Sequence, residues 1–152
     1  MYIRNDVECT CDPFRWNYNN TEMTVAIINL PGCNNIHVVG IYRSKSKVVF
    51  SKLIEGLEHL HRTILSEPRT PVIILGDLNV NFMEVTSQQK ALVEYMIKQK
   101  GYTQLIKQYT TDYKTQIDHI YTNIPHQVQS SGTLESYYSD HKPIFVCLNI
   151  TS

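Results

Sequence analysis

The order of apolar and polar positions changes period several times along the chain, and each change predicts an element. Thr24–Leu30 (TVAIINL) and Ile36–Tyr42 (IHVVGIY) are short runs rich in β-branched residues, separated by the turn formers Pro31-Gly32-Cys33-Asn34-Asn35. They predict a β-hairpin. From Val48 to Glu67 the period becomes helical, with Phe50, Leu53, Ile54, Leu57, Leu60 and Ile64 at steps of three and four, until Pro68 and Pro71 stop it. Val72–Leu75 (VIIL) is apolar without alternation, the pattern of a strand covered on both faces. A second helix fits Thr86–Lys100, with Ala91, Leu92, Tyr95 and Met96 on one face and Gly101 as its stop. Strands follow at Ile117–Tyr121 and Pro143–Ile150, with weaker ones at Gln104–Gln108 and Val128–Ser136. At the start, a short strand at Tyr2–Arg4 leads into a polar, Asn-rich loop over Asn5–Glu22. Strands interleaved with two helices predict a layered α/β or α+β domain.

Composition narrows the classes. The chain has 152 residues, 42% hydrophobic and 18% charged, as expected of one globular domain, and it carries no internal repeat. No apolar run approaches the ~20 residues that cross a bilayer, and the start lacks the pattern of a signal peptide. The 14 Lys+Arg balance 14 Asp+Glu, which argues against coating a nucleic acid or an anionic membrane by bulk charge. A nucleic acid would have to use a local patch. Cys9, Cys11, Cys33 and Cys147 lack the spacing of a zinc site and read as free thiols in a reducing compartment.

Three acidic clusters stand at strand ends. Gly76-Asp77-Leu78-Asn79 follows VIIL, so a buried strand would deliver Asp77 and Asn79 rigidly to the rim of a sheet; alternatively these residues only make the turn. In Ile117-Asp118-His119-Ile120, alternation places Asp118 on the same face as Ile120, where an unpaired carboxylate is unfavourable. Either a histidine partners it, with the carboxylate setting the imidazole tautomer and raising its pKa, or an edge strand leaves it to water. Ser139-Asp140-His141 precedes a strong strand and is either a surface loop or a place where a metal-binding carboxylate and an imidazole arrive together. Tyr42-Arg43 with Lys45 and Lys47 is a cationic patch of phosphate size, or else a solvated loop entering a helix.

Taken in this order, IYR, VIILGDLN, IDHIYTN and YYSDHKPI resemble the endonuclease/exonuclease/phosphatase superfamily, over Tyr2 to about Leu148. That superfamily includes apurinic endonucleases, pancreatic-type deoxyribonucleases, inositol phosphatases and the endonuclease domains of mobile elements. The Tyr2-Ile3-Arg4-Asn5 start, Gln104-Leu105-Ile106 and Ile117–Asn123 look most like the mobile-element members, found in non-LTR retrotransposons and some helicase-bearing DNA transposons. The resemblance implies a four-layer α/β sandwich, two mostly antiparallel sheets flanked by helices, with the site at the rim between the sheets. It implies that Asp77 orients or deprotonates the attacking water with Asn79 beside it. Asp118 would pair with His141, which faces the scissile phosphate. Asp140 becomes a metal ligand and Tyr42 a phosphate contact. Arg43 joins the substrate-binding set, and a substrate-contacting threonine corresponds to Thr110 or Thr111. Hard oxygen ligands suit Mg2+ or Mn2+.

The implied activity is divalent-metal-dependent phosphodiester hydrolysis, as a DNA endonuclease of mobile-element type. A catalytically inactive remnant of such a domain and a phosphatase are the alternatives. DNA, held through its phosphate backbone, is the implied partner, with no membrane. Other domains of a larger mobile-element protein and an intracellular, nuclear setting are further expectations. Ser44 stands where relatives commonly have Pro. The family's Asn motif and metal-ligand glutamate precede the segment that Tyr2–Arg4 matches, whereas Asp6 and Glu8 follow it. The expectation is therefore one domain over residues 1–152, incomplete at its N-terminus and without its first strands. It would bind magnesium weakly and cleave DNA poorly or not at all, with open backbone beside Tyr2–Arg4 and Thr24–Leu30.

Overall fold

The computed structural model describes residues 1–18, 21–45 and 50–150. Strands β1 (Cys9–Tyr18), β2 (Thr21–Ile28), β3 (Ile36–Arg43), β4 (Val72–Asp77), β5 (Thr103–Gln104) and β6 (Asp118–Thr122) form a six-stranded sheet in the order β1-β2-β3-β4-β6-β5. Strands β7 (Val128–Thr133) and β8 (Ile144–Leu148) form a second sheet. The predicted hairpin is present, with β2 and β3 paired from Thr21↔Arg43 to Ile28↔Ile36. Among the described residues, only β3 and β4 pair in parallel. A parallel neighbour needs a crossover, and helix α1 (Ser51–Thr63) supplies it.

The larger sheet is covered on both faces. On one side Leu53, Leu57 and Leu60 of α1, with Leu92, Tyr95 and Met96 of the second helical segment, pack on Met23, Val25, Val39, Ile41, Val72 and Ile74. On the other, Ile36, Ile73 and Ile120 meet Ile144, Val146 and Leu148 of β8. Strand β4 thus sends Val72 and Ile74 one way and Ile73 and Leu75 the other, which is why VIIL shows no alternation. The result is a mixed α/β sandwich of two sheets, with helices on the outer face of the larger.

The second helical segment begins at α2 (Ser87–Leu92), where the Thr86 side chain accepts from the Gln89 amide at 3.1 Å, and continues as a π-helical stretch, Val93–Gln99. Gly101, at φ 73°, ends it. Helix α1 is shorter than its periodicity: the Ile64 and Leu65 amides both return to the Leu60 carbonyl and close it early. The predicted start at Val48, and Lys47 of the cationic patch, lie outside the described residues.

Four expectations are overturned. The predicted loop Asn5–Glu22 contains β1, whose alternation is broken at Asp12-Pro13, where the register shifts between Cys11 and Arg15. Past that bulge Phe14 and Trp16 pack toward α1, each with its ring 5.6 Å from that of His59. With β1 on one side and β3 on the other, Thr24–Ile28 has no open edge. Tyr2–Arg4 is not a strand; Met1, Tyr2 and Ile3 instead line an apolar groove of ≈ 550 Å³ over Thr24, Val38, Gly40 and Leu75. The Gln104–Gln108 strand shrinks to two residues because the Gln104 side chain takes both the amide and the carbonyl of Ile106 and turns the chain off the ladder.

Candidate active site at the sheet rim

Strand register builds the site. Tyr42 pairs with Asp77 across β3–β4, and Asp77 pairs with Asp118 across β4–β6, so the three side chains stand in one row at one end of the sheet. Neighbouring strands are ~4.8 Å apart, which sets the spacing of that row. Glu22 of β2 pairs with Tyr42 and extends it. The row faces the second sheet, and the loop entering β8 brings His141 over it.

The Asp77 turn is held from both sides. At Gly76, φ is 145° and a Cβ would fall 1.8 Å from the Ile41 carbonyl oxygen, so β3 and β4 approach as only glycine permits. Asp77 Oδ1 accepts from the Asn79 amide at 2.9 Å. Asn79, at φ 51°, donates Nδ2–H to the Arg43 carbonyl at 2.5 Å. Arg43 in turn donates from Nη1 to the Leu78 carbonyl at 3.2 Å, with its guanidinium 5.5 Å from the Phe50 ring centroid. The Arg43 guanidinium is therefore buried and spent on the turn, pointing to the face opposite Tyr42. That corrects its expected role as a substrate contact: alternation along β3 turns it inward.

Asp118 has the histidine partner that its apolar setting demands: His141 donates Nδ1–H to Asp118 Oδ2 at 2.9 Å. The Asp118 side chain is buried, while that of His141 is 36% exposed. Thr110 Oγ1 accepts from the Ile117 and Asp118 amides at 3.1 and 3.2 Å. Thr110 is fully buried, so it supports the site from beneath and does not reach substrate, a second correction. Its neighbour Thr111 bridges to His141 and lines the cleft. The Lys142 amide donates to the Thr110 carbonyl at 2.8 Å and the Asp112 amide to the Asp140 carbonyl at 2.9 Å, pinning the two loops together.

Beside His141 and Asn79 lies a cleft of ≈ 400 Å³, lined also by Lys45, Thr111, Tyr113 and Asp140. Tyr42 is half exposed at the rim. Burial pushes the Asp77 carboxyl above its usual range; the Asn79 amide opposes this, and the Asp118 charge adds to it. Burial would lower His141, but the charge and hydrogen bond of Asp118, helped by Asp77 and Asp140, raise it overall.

One ligand atom each from Asp77, Asp118 and His141 lies within 4.8 Å of the others, a grouping able to hold a metal ion. Two crowded carboxylates, one of them resisting ionisation, fit a hard divalent cation that would neutralise both. Asp140 sits at the exposed lip, outside that tight group. Sequence reasoning missed Glu22, because only strand register brings it to the rim; of the two candidate threonines, Thr111 is the one that lines the cleft.

The family model described as endonuclease-reverse transcriptase matches residues 36–145, a span that contains Tyr42, Asp77, Asn79, Asp118, Asp140 and His141. The chain belongs to this family. The matched model is of the endonuclease/exonuclease/phosphatase type. No curated protein sequence matches the chain. Among solved structures, the endonuclease domain of TRAS1, a telomere-specific non-LTR retrotransposon, is similar with a TM-score of 0.77 at 15% identity, covering 98% of this chain and 72% of that one. A family protein from Leptotrichia buccalis has a TM-score of 0.57 at 15% identity, covering 85% of this chain and 54% of its own. The inositol polyphosphate 5-phosphatase domain of SPsynaptojanin, solved with inositol (1,4)-bisphosphate and calcium, has a TM-score of 0.52 at 17% identity over 93% of this chain. The chain spans 53% of that domain, little over half, as it does for the Leptotrichia protein. These likenesses show a shared fold. No helix among the described residues is long and apolar enough to cross a membrane.

Proposed function

We propose that this domain hydrolyses phosphodiester bonds in DNA with the aid of a divalent cation. The observation that carries the reading is the Asp118–His141 hydrogen bond of 2.9 Å beside the half-buried Asp77 at the rim of the cleft. Asp77, with its proton affinity raised by burial, orients the attacking water and accepts its proton. Asn79 keeps the Asp77 turn in shape. Asp118 fixes the His141 tautomer with Nδ1 protonated, which leaves the Nε2 side of the ring for the phosphate. The raised pKa of His141 favours a positively charged ring against the negative charge that builds on the phosphoryl oxygens. Tyr42 contacts a phosphate oxygen from the neighbouring strand. Asp77 and Asp118 are the oxygen donors of the tight group that would hold magnesium or manganese, with Asp140 outside it at the lip. When bound, that cation supplies charge neutralisation at the scissile phosphate.

The test is nicking of supercoiled plasmid by the chain with magnesium. Asp77→Asn keeps the shape and removes the charge, so it should cut the rate by roughly 10²–10⁴-fold while circular dichroism stays unchanged. Nicking that survives Asp77→Asn, or that continues when the metal is chelated, overturns the mechanism. No nicking by the unaltered chain favours the inactive remnant.

A further inference from the structure

The described tyrosines range from core to fully exposed. Tyr95, Tyr102 and Tyr121 are core residues, whereas Tyr113, Tyr137 and Tyr138 are 76%, 90% and 99% exposed. An aromatic ring left in water forgoes the largest gain it can make on folding. These three rings stand on the two loops that frame the cleft. Tyr113 lines the cleft itself, in the tight turn closed by the Lys114 amide donating to the Thr111 carbonyl at 3.1 Å. Tyr137 and Tyr138 immediately precede Ser139-Asp140-His141, and their loop is tied to the first by the Asp112–Asp140 bond and the Thr111–His141 bridge. The rings project from anchored backbone at the mouth of the candidate site.

Charge does not recommend this mouth to a polyanion. The net charge is zero, and the cleft is lined by Glu84 and Asp140 with Lys45. Lys114 lies beside Tyr113, but Lys142 is paired with Glu135 at 3.3 Å. Resting on the phosphodiesterase reading above, we infer that Tyr113, Tyr137 and Tyr138 are stacking platforms for nucleobases flanking the scissile phosphate. The preferred substrate is therefore nucleic acid with unpaired, unstacked bases at the cut. Stacking on aromatic rings is sequence-tolerant and does not depend on neutralising many phosphates, so it suits a site with few free cations.

The experiment measures fluorescence anisotropy of a labelled single-stranded oligonucleotide of about 16 nucleotides, and of its duplex, with the Asp77→Asn protein so that the probe stays intact. The single strand should bind at least tenfold more tightly than the duplex. Tyr113→Ala, and Tyr137→Ala combined with Tyr138→Ala, should each weaken it by roughly tenfold or more, while the corresponding Phe variants bind as the parent. The dependence on salt should be shallow, corresponding to on the order of one or two neutralised phosphates. Equal or tighter duplex binding, Ala variants that bind like the parent, or no binding of either probe overturns the inference. The last outcome, with an intact fold, would leave these rings to a protein partner. Because the plasmid assay reads hydrolysis separately, nicking that persists while the Ala variants bind normally sinks the platforms and spares the hydrolase.

Discussion

At the rim, His141 rests on a carboxylate; in the core, His61 is held by uncharged oxygens. His61 donates Nδ1–H to the Leu57 carbonyl at 2.7 Å, with the Tyr95 hydroxyl 3.1 Å away, and Nε2 accepts from the Tyr102 hydroxyl at 2.8 Å. Burial pushes His61 down to about 4, so this ring is neutral and ties α1 to the π-helical stretch. His119, bonded to the Tyr121 hydroxyl and the Val80 carbonyl, is also lowered by burial. His141 alone of these three is raised. Burial and partner differ together: His61 and His119 are buried among dipoles, whereas His141 is partly exposed, and there an anion within hydrogen-bond reach overcomes the desolvation. A histidine on a carboxylate can work on a phosphate, whereas one on hydroxyls is structural.

The comparison is broken most directly by deleting the rim pair. His141→Ala, Asp118→Ala and the double variant should each lose roughly 10²–10⁴-fold in nicking, with the double no worse than the poorer single, because the two act as a unit. Thermal unfolding should move little, since the His141 side chain is 36% exposed and its pairing is screened by water. Losses that multiply would uncouple them.

The core histidine predicts the reverse. Its folded pKa lies below the unfolded value of 6.5, so its contribution to stability is full above pH 6.5 and is lost as pH falls toward about 4. The loss amounts to about 3 kcal/mol, readable by urea unfolding across that window. His61→Phe should flatten this acid limb; an unchanged limb would assign it to other groups. His141 has the opposite sign: stability from its pairing is present below pH 6.5 and fades as pH rises through its raised folded value.

Thr110→Val sharpens the boundary between the regions. A substrate contact would raise KM and leave stability alone. Because Thr110 instead serves two backbone amides, that of Asp118 being buried, the substitution should cost about 1–3 kcal/mol in unfolding and lower kcat by loosening Asp118. A changed KM with unaltered stability would restore Thr110 to the substrate.

Local pattern alone determined a good deal of this protein. The hairpin, the VIIL strand, the two helical segments and Gly101 as a stop follow from side-chain period and turn chemistry, which act over a few residues. The need of Asp118 for a partner was legible too, because a carboxylate beside Ile120 on one face of a strand is costly unless paired. Strand β1 was hidden, since Asp12-Pro13 interrupts its alternation and its pairing with β2 restores what local pattern could not show. The roles of Arg43 and Thr110 were equally out of reach: both carry polar groups suited to a phosphate, and only burial turned them to backbone. Placing Asp77 beside Asp118, 41 residues apart in sequence, required the β4–β6 register, and setting His141 on Asp118 required the second sheet to pack against the first. The chain carried the chemistry in short motifs, but their convergence came from long-range pairing, because no local interaction knows which strand will be its neighbour.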